Sequence, residues 1–409
     1  MSLRLAWAGP WNERSAIAFF GTLVANEMVA LGHEVEVFRT EVGDDLLLPV
    51  RRAPGPVHTV DEQSLIAMAG DFDGVIVNLG NHYGFHGGAI PVLRGSAPLI
   101  ILHDAWLGHF CDGWRVAAGN DGWRTDQFLR DDPSGISSLC ALASGVIVHG
   151  PHYREAAEMA CPGPVAMVPL AYTADALPPP RPTGDRLIVA TVGHVNGNKR
   201  ADEVIRALGA SERLRDCVLY VLAGPVEPDE QARLIALARQ VGAREPHFTG
   251  WLPDELLRLH ITGADVMCCL RYPAWEGGSA SMITAMLSGR PTLVSNHASY
   301  ADVPDGLVLK CSPGHEATDV RKHLEALLDD PAGARVMGDR ARAYALRTFA
   351  PAAYAARLLD VLQEATLAEP AIRTGRLVGR RLAEFGMKAD DPAVDRMDTA
   401  LADLLHRTR

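Results

Sequence analysis

Short runs of apolar residues recur along the chain and alternate with segments of helical periodicity. Such continuous runs are typical of strands that are buried on both faces of a parallel sheet. We predict strands at residues 3–8, 35–38, 75–79, 99–102 and 145–148 in the first half, and at 187–192, 217–223, 266–270, 292–295 and 307–309 in the second. The pattern predicts an α/β protein with two doubly wound, parallel-sheet domains.

A proline-rich segment, residues 171–185, lies between the two sets of strands and contains P-P-P-R-P-T-G. Proline-stiffened segments commonly link domains. We therefore expect one Rossmann-like domain at residues 1–175, a second at 186–350 and a C-terminal region at 351–409. A cleft between the two domains is the expected binding site.

Composition narrows the classes of function. The net charge of -11 argues against a general nucleic-acid binder, whose affinity depends on neutralising phosphates. Seven cysteines without a C-x-x-C pair indicate neither a disulfide framework nor a zinc site. With no long apolar run and no signal segment, the chain is expected to be cytoplasmic and not to span a membrane.

The last part of the chain, residues 371–409, is basic and partly amphipathic. One interpretation is a weak, peripheral association with anionic lipid at the inner face of a membrane. The other, which we prefer, is a solvated or domain-packing tail. Glycines at positions 375, 379 and 386 disfavour a helix here.

The segment W-E-G-G-S-A-S-M-I-T-A-M-L-S-G-R-P, residues 275–291, places an acid, two glycines and a helix start in succession. Gly277 and Gly278 allow a positive φ and a close backbone approach, and Ser279 or Ser281 can cap the helix. Free N–H groups at such a helix start attract phosphate. Because Glu276 cannot favour a phosphate, we expect it to accept hydrogen bonds from sugar hydroxyls, and the combination indicates a nucleotide sugar.

Two other loops follow predicted strands, where open α/β sheets bind ligands. T-V-G-H-V-N-G-N-K-R places Lys199 and Arg200 between a strand and a helix, where cations would face a diphosphate. The loop G-P-W-N, residues 9–12, follows the first strand, and His103 and Asp104 follow the strand L-I-I-L. An ordinary turn for the first loop, and a core histidine with a capping aspartate for the second, are about equally good interpretations.

No metal site is predicted. His82 and His86 have the spacing H-x-x-x-H, but neighbouring glycines make a continuous helix doubtful and no ligating acid follows. No D-x-D pair lies beside a candidate phosphate loop. The pair Cys268 and Cys269 lies inside a predicted strand and is interpreted as core.

Together these segments resemble the retaining glycosyltransferases of glycosyltransferase family 4, which have the GT-B architecture of two Rossmann-like domains facing across a cleft. The resemblance covers nearly the whole chain to about residue 362. The family motif E-G-x-G-x-x-x-x-E-A-M followed by small-Gly-x-P is matched in register by Glu276, Gly277, Ala285, Met286, Gly289 and Pro291. The chain departs from the family at two positions: Thr284 replaces the second glutamate, and His194 replaces the arginine of the family's G-R-x-x-x-x-K loop.

The resemblance implies a role for each matched position. Catalysis would rest on Glu276, His103 and Lys199, with His103 near the transferred sugar and Arg200 standing in for the missing arginine. The remaining residues implied in donor binding are Gly9, Asn12, Gly193, His194, Trp251, Leu252, Gly277, Gly278, Ser279, Ala280 and Thr284. Those implied on the acceptor side are Trp11, Asn81, His86 and Asp104, with further specificity in the loops at residues 81–88 and 107–132.

The implied reaction moves a sugar from a UDP-, GDP- or dTDP-linked donor to a hydroxyl of a glycan, a lipid-linked or a small-molecule acceptor, with retention of the anomeric configuration. It would serve glycan, polysaccharide or glycoconjugate biosynthesis and need neither a metal nor a cofactor. No protein nucleophile is expected, so positioning and charge stabilisation would carry the rate. A helix at residues 351–368 would run back toward the first domain.

Thr284 leaves alternatives open, because the family's carboxylate at this position binds the ribose diol. Another residue takes the ribose, or the donor is a deoxyribose nucleotide such as a dTDP-sugar, or donor binding has been lost; we favour the first. The alternative in a different class is a non-catalytic nucleotide-sugar or glycan-binding scaffold that partners an active transferase. An epimerase of the same architecture would need acid and base carboxylates that the sequence does not place.

Overall fold

The computed structural model describes residues 2–119, 125, 129, 130, 132–173, 186–387, 391, 392, 394, 396 and 397. The chain divides into two compact units. Unit 1 comprises Met1–Val148, Tyr153–Val168 and Ala355–Arg409, and unit 2 comprises His149–His152 and Pro169–Tyr354. Most of the predicted linker, residues 174–185, and part of the predicted acceptor loop at 107–132 lie outside the described residues.

Unit 1 is built on a seven-stranded sheet with the strand order β3-β2-β1-β4-β5-β6-β7, in which every neighbouring pair is parallel. Its strands are β1 (Arg4–Gly9), β2 (Glu34–Arg39), β3 (Val57–Thr59), β4 (Gly74–Leu79), β5 (Leu99–Leu102), β6 (Gly145–Val148) and β7 (Val165–Met167). Its helices are α1 (Ala16–Ala30), α2 (Glu62–Gly70), α3 (Tyr83–His86), α4 (Ala89–Ser96), α5 (Gly108–Ala118), α6 (Ile136–Cys140) and α7 (Arg154–Ala160).

Unit 2 is built on a six-stranded, fully parallel sheet with the order β10-β9-β8-β11-β12-β13. Its strands are β8 (Leu187–Val192), β9 (Val218–Ala223), β10 (His247–Phe248), β11 (Val266–Cys269), β12 (Thr292–Ser295) and β13 (Leu309–Cys311). Its helices are α8 (Ala201–Gly209), α9 (Glu212–Cys217), α10 (Pro228–Gln240), α11 (Asp254–Gly263), α12 (Ala280–Leu287), α13 (Glu316–Asp329) and α14 (Pro331–Thr348). The last helix, α15 (Pro351–Glu384), starts in unit 2 and continues in unit 1.

The predicted fold class is confirmed, because both units are parallel sheets with helices in the connections. All ten predicted strands are present at, or overlapping, their predicted positions. The prediction missed β3, β7 and β10, which have three, three and two residues and lie at sheet edges. An edge strand pairs on one side only, and such short segments carry little apolar pattern.

Helix α1 shows how a local signal sets an element boundary. Ser15 is its N-cap, and the Ser15 hydroxyl accepts a hydrogen bond from the Ala18 N–H at 3.2 Å. The helix then buries Phe20, Val24 and Met28. The first helix therefore begins directly after the loop that follows β1.

Helix α15 corrects the prediction that the helical pattern ends near residue 368. It continues for 34 residues, through Pro370 and through two of the glycines that were expected to weaken it. Tertiary contacts support the continuation: Ile372 is buried, and Arg376 donates to the carbonyl oxygens of Ala141 and Ala143 at 2.9 and 3.2 Å. Among the described residues, no helix is both long and apolar enough to cross a membrane.

Candidate functional site

The carboxyl ends of the central strands of unit 2 bring the second-half candidate residues together. Lys199 follows β8, and Arg271 and Glu276 follow β11, which pairs with β8 in parallel. The Tyr272 N–H donates to the Asn198 carbonyl at 2.9 Å, which joins the two loops directly. Parallel strands present their carboxyl ends at the same edge of a sheet, so these loops share one surface of unit 2.

Lys199 is held under its loop. Its side chain is only 4% exposed, and the Nζ donates to the Val192 carbonyl at the end of β8. Gly193 has a φ of +82°, and a Cβ at this position would lie 3.0 Å from the Lys199 Nζ. The backbone conformation at 193 therefore favours glycine, and a larger residue there would also push on the ammonium group.

The environment of Lys199 disfavours its charge. Burial, followed by repulsion from the Arg271 guanidinium, lowers the pKa of Lys199 from 10.5 to about 7. The charge of Glu276 opposes the shift. An incoming anion would offset both causes, so the site favours a negatively charged ligand.

Glu276 is oriented by two side chains that the sequence analysis did not predict. Tyr300, which is fully buried, donates its hydroxyl to Glu276 Oε1 at 2.6 Å. The Arg271 Nε lies 3.2 Å from the same oxygen. Burial and the charge of Glu276 raise the pKa of Tyr300 well above its usual value, so the phenol keeps the proton that it donates.

Helix α12 starts directly after the turn that contains Glu276, Gly277 and Gly278. Ser279 is the N-cap, and its hydroxyl accepts from the Met282 N–H at 3.2 Å, as predicted for one of the two serines. Gly278 does not have the positive φ that the sequence analysis allowed for; instead, a Cβ there would lie 3.0 Å from the Cβ of Leu170. Close packing of Leu170, not turn geometry, therefore requires the glycine.

Thr284 lies on the second turn of α12 and is half-buried. Its hydroxyl donates to the Ala280 carbonyl at 2.8 Å, four residues earlier in the helix. Its proton is therefore engaged within the helix, and the oxygen can act towards a ligand as an acceptor.

A loop that the sequence did not predict for the site, His149–His152, lies against the turn that contains Glu276 and Gly277. The loop His149–His152 belongs to unit 2, although it follows a strand of unit 1. A Cβ at Gly150 would lie 3.1 Å from the Gly277 carbonyl, and His152 contacts the backbone of Glu276. Burial and the neighbouring His297 lower the pKa of His152.

Arg200 was expected to stand in for the arginine that is missing at 194. It adopts a left-handed conformation with a φ of +53°. Its Nε lies 3.3 Å from Glu316, which is 1% exposed, and its Nη2 lies 3.5 Å from Glu203. Two carboxylates therefore already balance this cation, whereas His194 is exposed.

The segment G-W-L-P, residues 250–253, which contains the predicted donor-binding residues Trp251 and Leu252, follows β10. Gly250 has a φ of +69°, and the preceding Thr249 hydroxyl accepts from the Gly224 N–H at 3.2 Å. Trp251 is 74% exposed and Leu252 is half-buried. The indole therefore presents a free face at the surface of unit 2.

In unit 1, the buried carboxylate of Glu41 holds the loop at residues 9–12 through hydrogen bonds. Glu41 Oε1 accepts from the Trp11 N–H at 2.8 Å and from the Asn12 Nδ2 at 3.0 Å. The Trp11 and Asn12 side chains are both 0% exposed. This corrects the expectation that they line a ligand surface, because both side chains are buried; the Asn12 amide helps to hold the loop. A Cβ at Gly9 would lie 3.0 Å from the Asn78 Cβ.

The first-half polar residues gather around β4 and β5. His103 Nε2 lies 3.0 Å from Asn78 Oδ1, and Asp104 Oδ2 accepts from the Asn81 N–H at 2.7 Å. His86 is 1% exposed, and burial lowers its pKa to about 3. His86 is therefore a neutral core residue that hydrogen-bonds the Asn78 carbonyl at 3.0 Å, which corrects its placement on the acceptor side.

Within the part of the chain that the structure describes, no group of three or more His, Cys, Asp or Glu side chains is placed to hold a metal ion. The seven cysteines are free, and Cys268 and Cys269 are buried in β11. Burial raises the pKa of Cys269 to about 12.

Comparison with known families identifies the part of the chain that carries this cluster. Residues 176–344 match the family of group 1 glycosyl transferases. The matched region lies entirely within unit 2 and contains Lys199, Arg271, Glu276 and Tyr300. Comparison with curated protein sequences gives no match.

Solved structures resemble the whole chain. Alr3699/HepE of Anabaena in complex with UDP and glucose has a TM-score of 0.63 and 14% identity over 88% of this chain and 99% of its own. A sucrose-phosphate synthase from Thermosynechococcus elongatus has a TM-score of 0.62 and 16% identity over 88% and 98%. WaaG, a glycosyltransferase involved in lipopolysaccharide biosynthesis, has a TM-score of 0.56 and 14% identity over 88% and 99%. At these identities the likeness establishes the fold, which is GT-B.

Proposed function

We propose that the protein is a retaining glycosyltransferase of family 4 that moves a sugar from a nucleoside diphosphate to an acceptor hydroxyl. The observation that carries the proposal is the arrangement at the carboxyl ends of β8 and β11. There a buried lysine, an arginine and a capped helix start lie beside an oriented glutamate. The residue pattern, the family match over residues 176–344 and the GT-B fold support the same activity.

The chemistry follows from the charges. Lys199, Arg271 and the first N–H groups of α12 stabilise the negative charge that develops on the departing diphosphate. Glu276, paired with Arg271, accepts hydrogen bonds from the sugar hydroxyls and fixes the donor for attack. The leaving phosphate takes the acceptor proton on the same face, so retention needs no protein nucleophile.

The roles of the unit 1 residues in this proposal rest on the residue pattern and on the geometry within that unit. His103, whose ring is oriented by Asn78, is assigned to the transferred sugar in this proposal. Asp104 and Asn81 hold the adjacent loop. Because protein cations and helix amides already provide positive charge, we propose that the reaction requires neither a metal ion nor a cofactor.

A donor screen tests the proposal. UDP-, GDP- and dTDP-sugars are incubated with the purified protein, and release of the nucleoside diphosphate is measured with and without EDTA. We expect turnover with one donor class, unchanged by EDTA, and NMR of the product formed with a simple glycoside acceptor should show the donor's anomeric configuration. Inverted product contradicts the retaining mechanism, and loss of turnover in EDTA contradicts metal independence.

Thr284 favours a second candidate, a nucleotide-sugar-binding scaffold without turnover. Its hydroxyl, already bonded to the Ala280 carbonyl, replaces a carboxylate that would bind a ribose diol. Calorimetry distinguishes the candidates: nucleotide-sugar binding without turnover supports the scaffold. Equal affinity for dTDP- and UDP-sugars indicates that the 2′-hydroxyl is not recognised.

Tyr300→Phe tests the orientation of Glu276. The substitution removes one hydrogen bond to a carboxylate, which costs about 1.5–3 kcal/mol, and we expect turnover to fall about 10- to 100-fold. Affinity for the bare nucleoside diphosphate should stay within about threefold, because Tyr300 contacts the acid and not the cations. Tyr344→Phe, on helix α14, serves as the matched control with unchanged turnover. Equal losses in both variants would contradict an orienting role for Tyr300.

A further inference from the structure

We infer that Arg271 binds the donor diphosphate in this chain, in the place that Arg200 was expected to take. The inference rests on the proposed function and adds to it a residue that lies outside the G-H-V-N-G-N-K-R loop. It follows from which carboxylates pair with Arg200 and which pair with Arg271.

The charge around Arg200 is already neutralised. Glu316 and Glu203 approach its guanidinium at 3.3 and 3.5 Å, and Glu203 also pairs with Arg206 at 3.5 Å, so these four side chains carry no net charge. Glu316 is 1% exposed, and removing its partner would leave a buried, uncompensated charge. A diphosphate that recruited Arg200 would have to break this pair, which makes Arg200 a poor phosphate ligand.

Arg271 has the opposite balance. It pairs with the single carboxylate of Glu276, whose charge also attracts Lys199, and the charge of Arg271 is a cause of the lowered pKa of Lys199. With both cations charged, these three side chains carry a net charge of +1. A diphosphate placed beside them relieves the repulsion between two cations and separates no existing ion pair.

Hydrogen bonds from both the backbone and the side chain of Arg271 hold it in position. Its N–H donates to the Ser295 hydroxyl at 2.8 Å, and its Nη1 donates to the Leu270 carbonyl at 3.2 Å. The Nη2 has no hydrogen-bond partner among the residues that the structure describes. The side chain is 17% exposed, so a ligand can reach its open N–H groups. They lie at the surface of unit 2 that also carries Lys199 and the start of helix α12.

The experiment compares two arginine variants by calorimetry, using UDP, GDP and dTDP and the matching nucleoside monophosphates. We expect Arg271→Met to weaken binding of the preferred diphosphate about 10- to 100-fold and binding of its monophosphate much less. Arg271→Lys should restore part of the loss, because it keeps the charge without the planar fork. The matched control, Arg200→Met combined with Glu316→Gln so that no buried charge is left unpaired, should keep diphosphate affinity within about threefold.

Three results would overturn the inference. The first is full diphosphate affinity in Arg271→Met with a loss in the Arg200 control. The second is an Arg271→Met variant that loses affinity for the nucleotide sugar only, which would show that Arg271 acts through Glu276. The third is a wild-type protein that binds none of the nucleotides, which would remove the proposed function as well. Thermal unfolding of each variant confirms that the protein measured is folded.

Discussion

Replacing Glu276 by glutamine is expected to lower the rate of glycosyl transfer by about 100-fold or more and to leave affinity for the bare nucleoside diphosphate within about threefold. Glutamine has the same shape, so the turn and its contact with Tyr300 are kept. The lost feature is the charge, which pairs with Arg271 and accepts hydrogen bonds from the sugar. Loss of an interaction with the transferred sugar lowers the transfer rate and the affinity for the nucleotide sugar. It has little effect on the affinity for the bare nucleotide, which carries no sugar to be transferred.

Steady-state turnover and calorimetry with the preferred donor check this result. Glu230→Gln is the matched control, because Glu230 lies on helix α10 and pairs only with Arg233 among the described residues. Unchanged turnover in Glu276→Gln would show that the acid has been given the wrong role. A loss of diphosphate affinity equal to the loss of turnover would place Glu276 at the phosphates and not at the sugar.

Lys199 should make donor binding depend on pH near neutrality. Its pKa of about 7 means that the ammonium loses its proton as the pH rises through this value in the free protein. A bound diphosphate favours the charged form, so at pH 8 binding should take up close to one proton. We expect affinity to fall by up to about tenfold per pH unit above 7.

Calorimetry in buffers of different ionisation enthalpy measures this proton directly. In Lys199→Met the proton uptake should disappear, and binding at pH 6 should weaken about 10- to 100-fold through loss of a charged contact. Lys322→Met, an exposed lysine on helix α13, is the control and should retain both properties. Unaltered proton uptake in Lys199→Met would assign the titration to another group, such as His152.

The same pKa predicts a change in stability of the free protein. Between pH 7 and 10.5 the unfolded chain binds more protons at Lys199 than the folded chain does. The free energy of unfolding therefore rises with pH through this window, and below pH 7 the folded state carries the full penalty of a buried charge. Lys199→Met should remove this rise, as measured by urea unfolding at pH 6 and pH 9.

The fold was predictable because the strands that define it are buried and apolar along their whole length. The candidate residues that the sequence placed well, such as Ser279 at its helix start, belong to one continuous segment whose local pattern sets their geometry. Tyr300 could not be found in this way. It reaches Glu276 only because β12 lies beside β11, and the order of strands in a sheet is not written in either strand.

The two arginines show a second limit of the sequence. Lys199 and Arg200 are adjacent in one loop, and the pattern treats them alike as cations near a phosphate. Their difference is set by Glu316, at the start of α13, which contacts Arg200 but belongs to a distant part of the chain. Charge on a residue can be read from a sequence, whereas its neutralisation by a distant partner cannot.

Helix α15 has a consequence for the way in which the protein is made. Leu362 and Ala365 pack against positions 74 and 145 of the sheet in unit 1, since a Cβ at either glycine would lie 2.9 or 3.0 Å from them. Unit 1 is therefore assembled from chain segments that lie on both sides of unit 2 in the sequence. Part of one face of its sheet stays uncovered until unit 2 has been synthesised and α15 can pack against it. A fragment that ends before residue 355 would therefore expose apolar surface and be prone to aggregate.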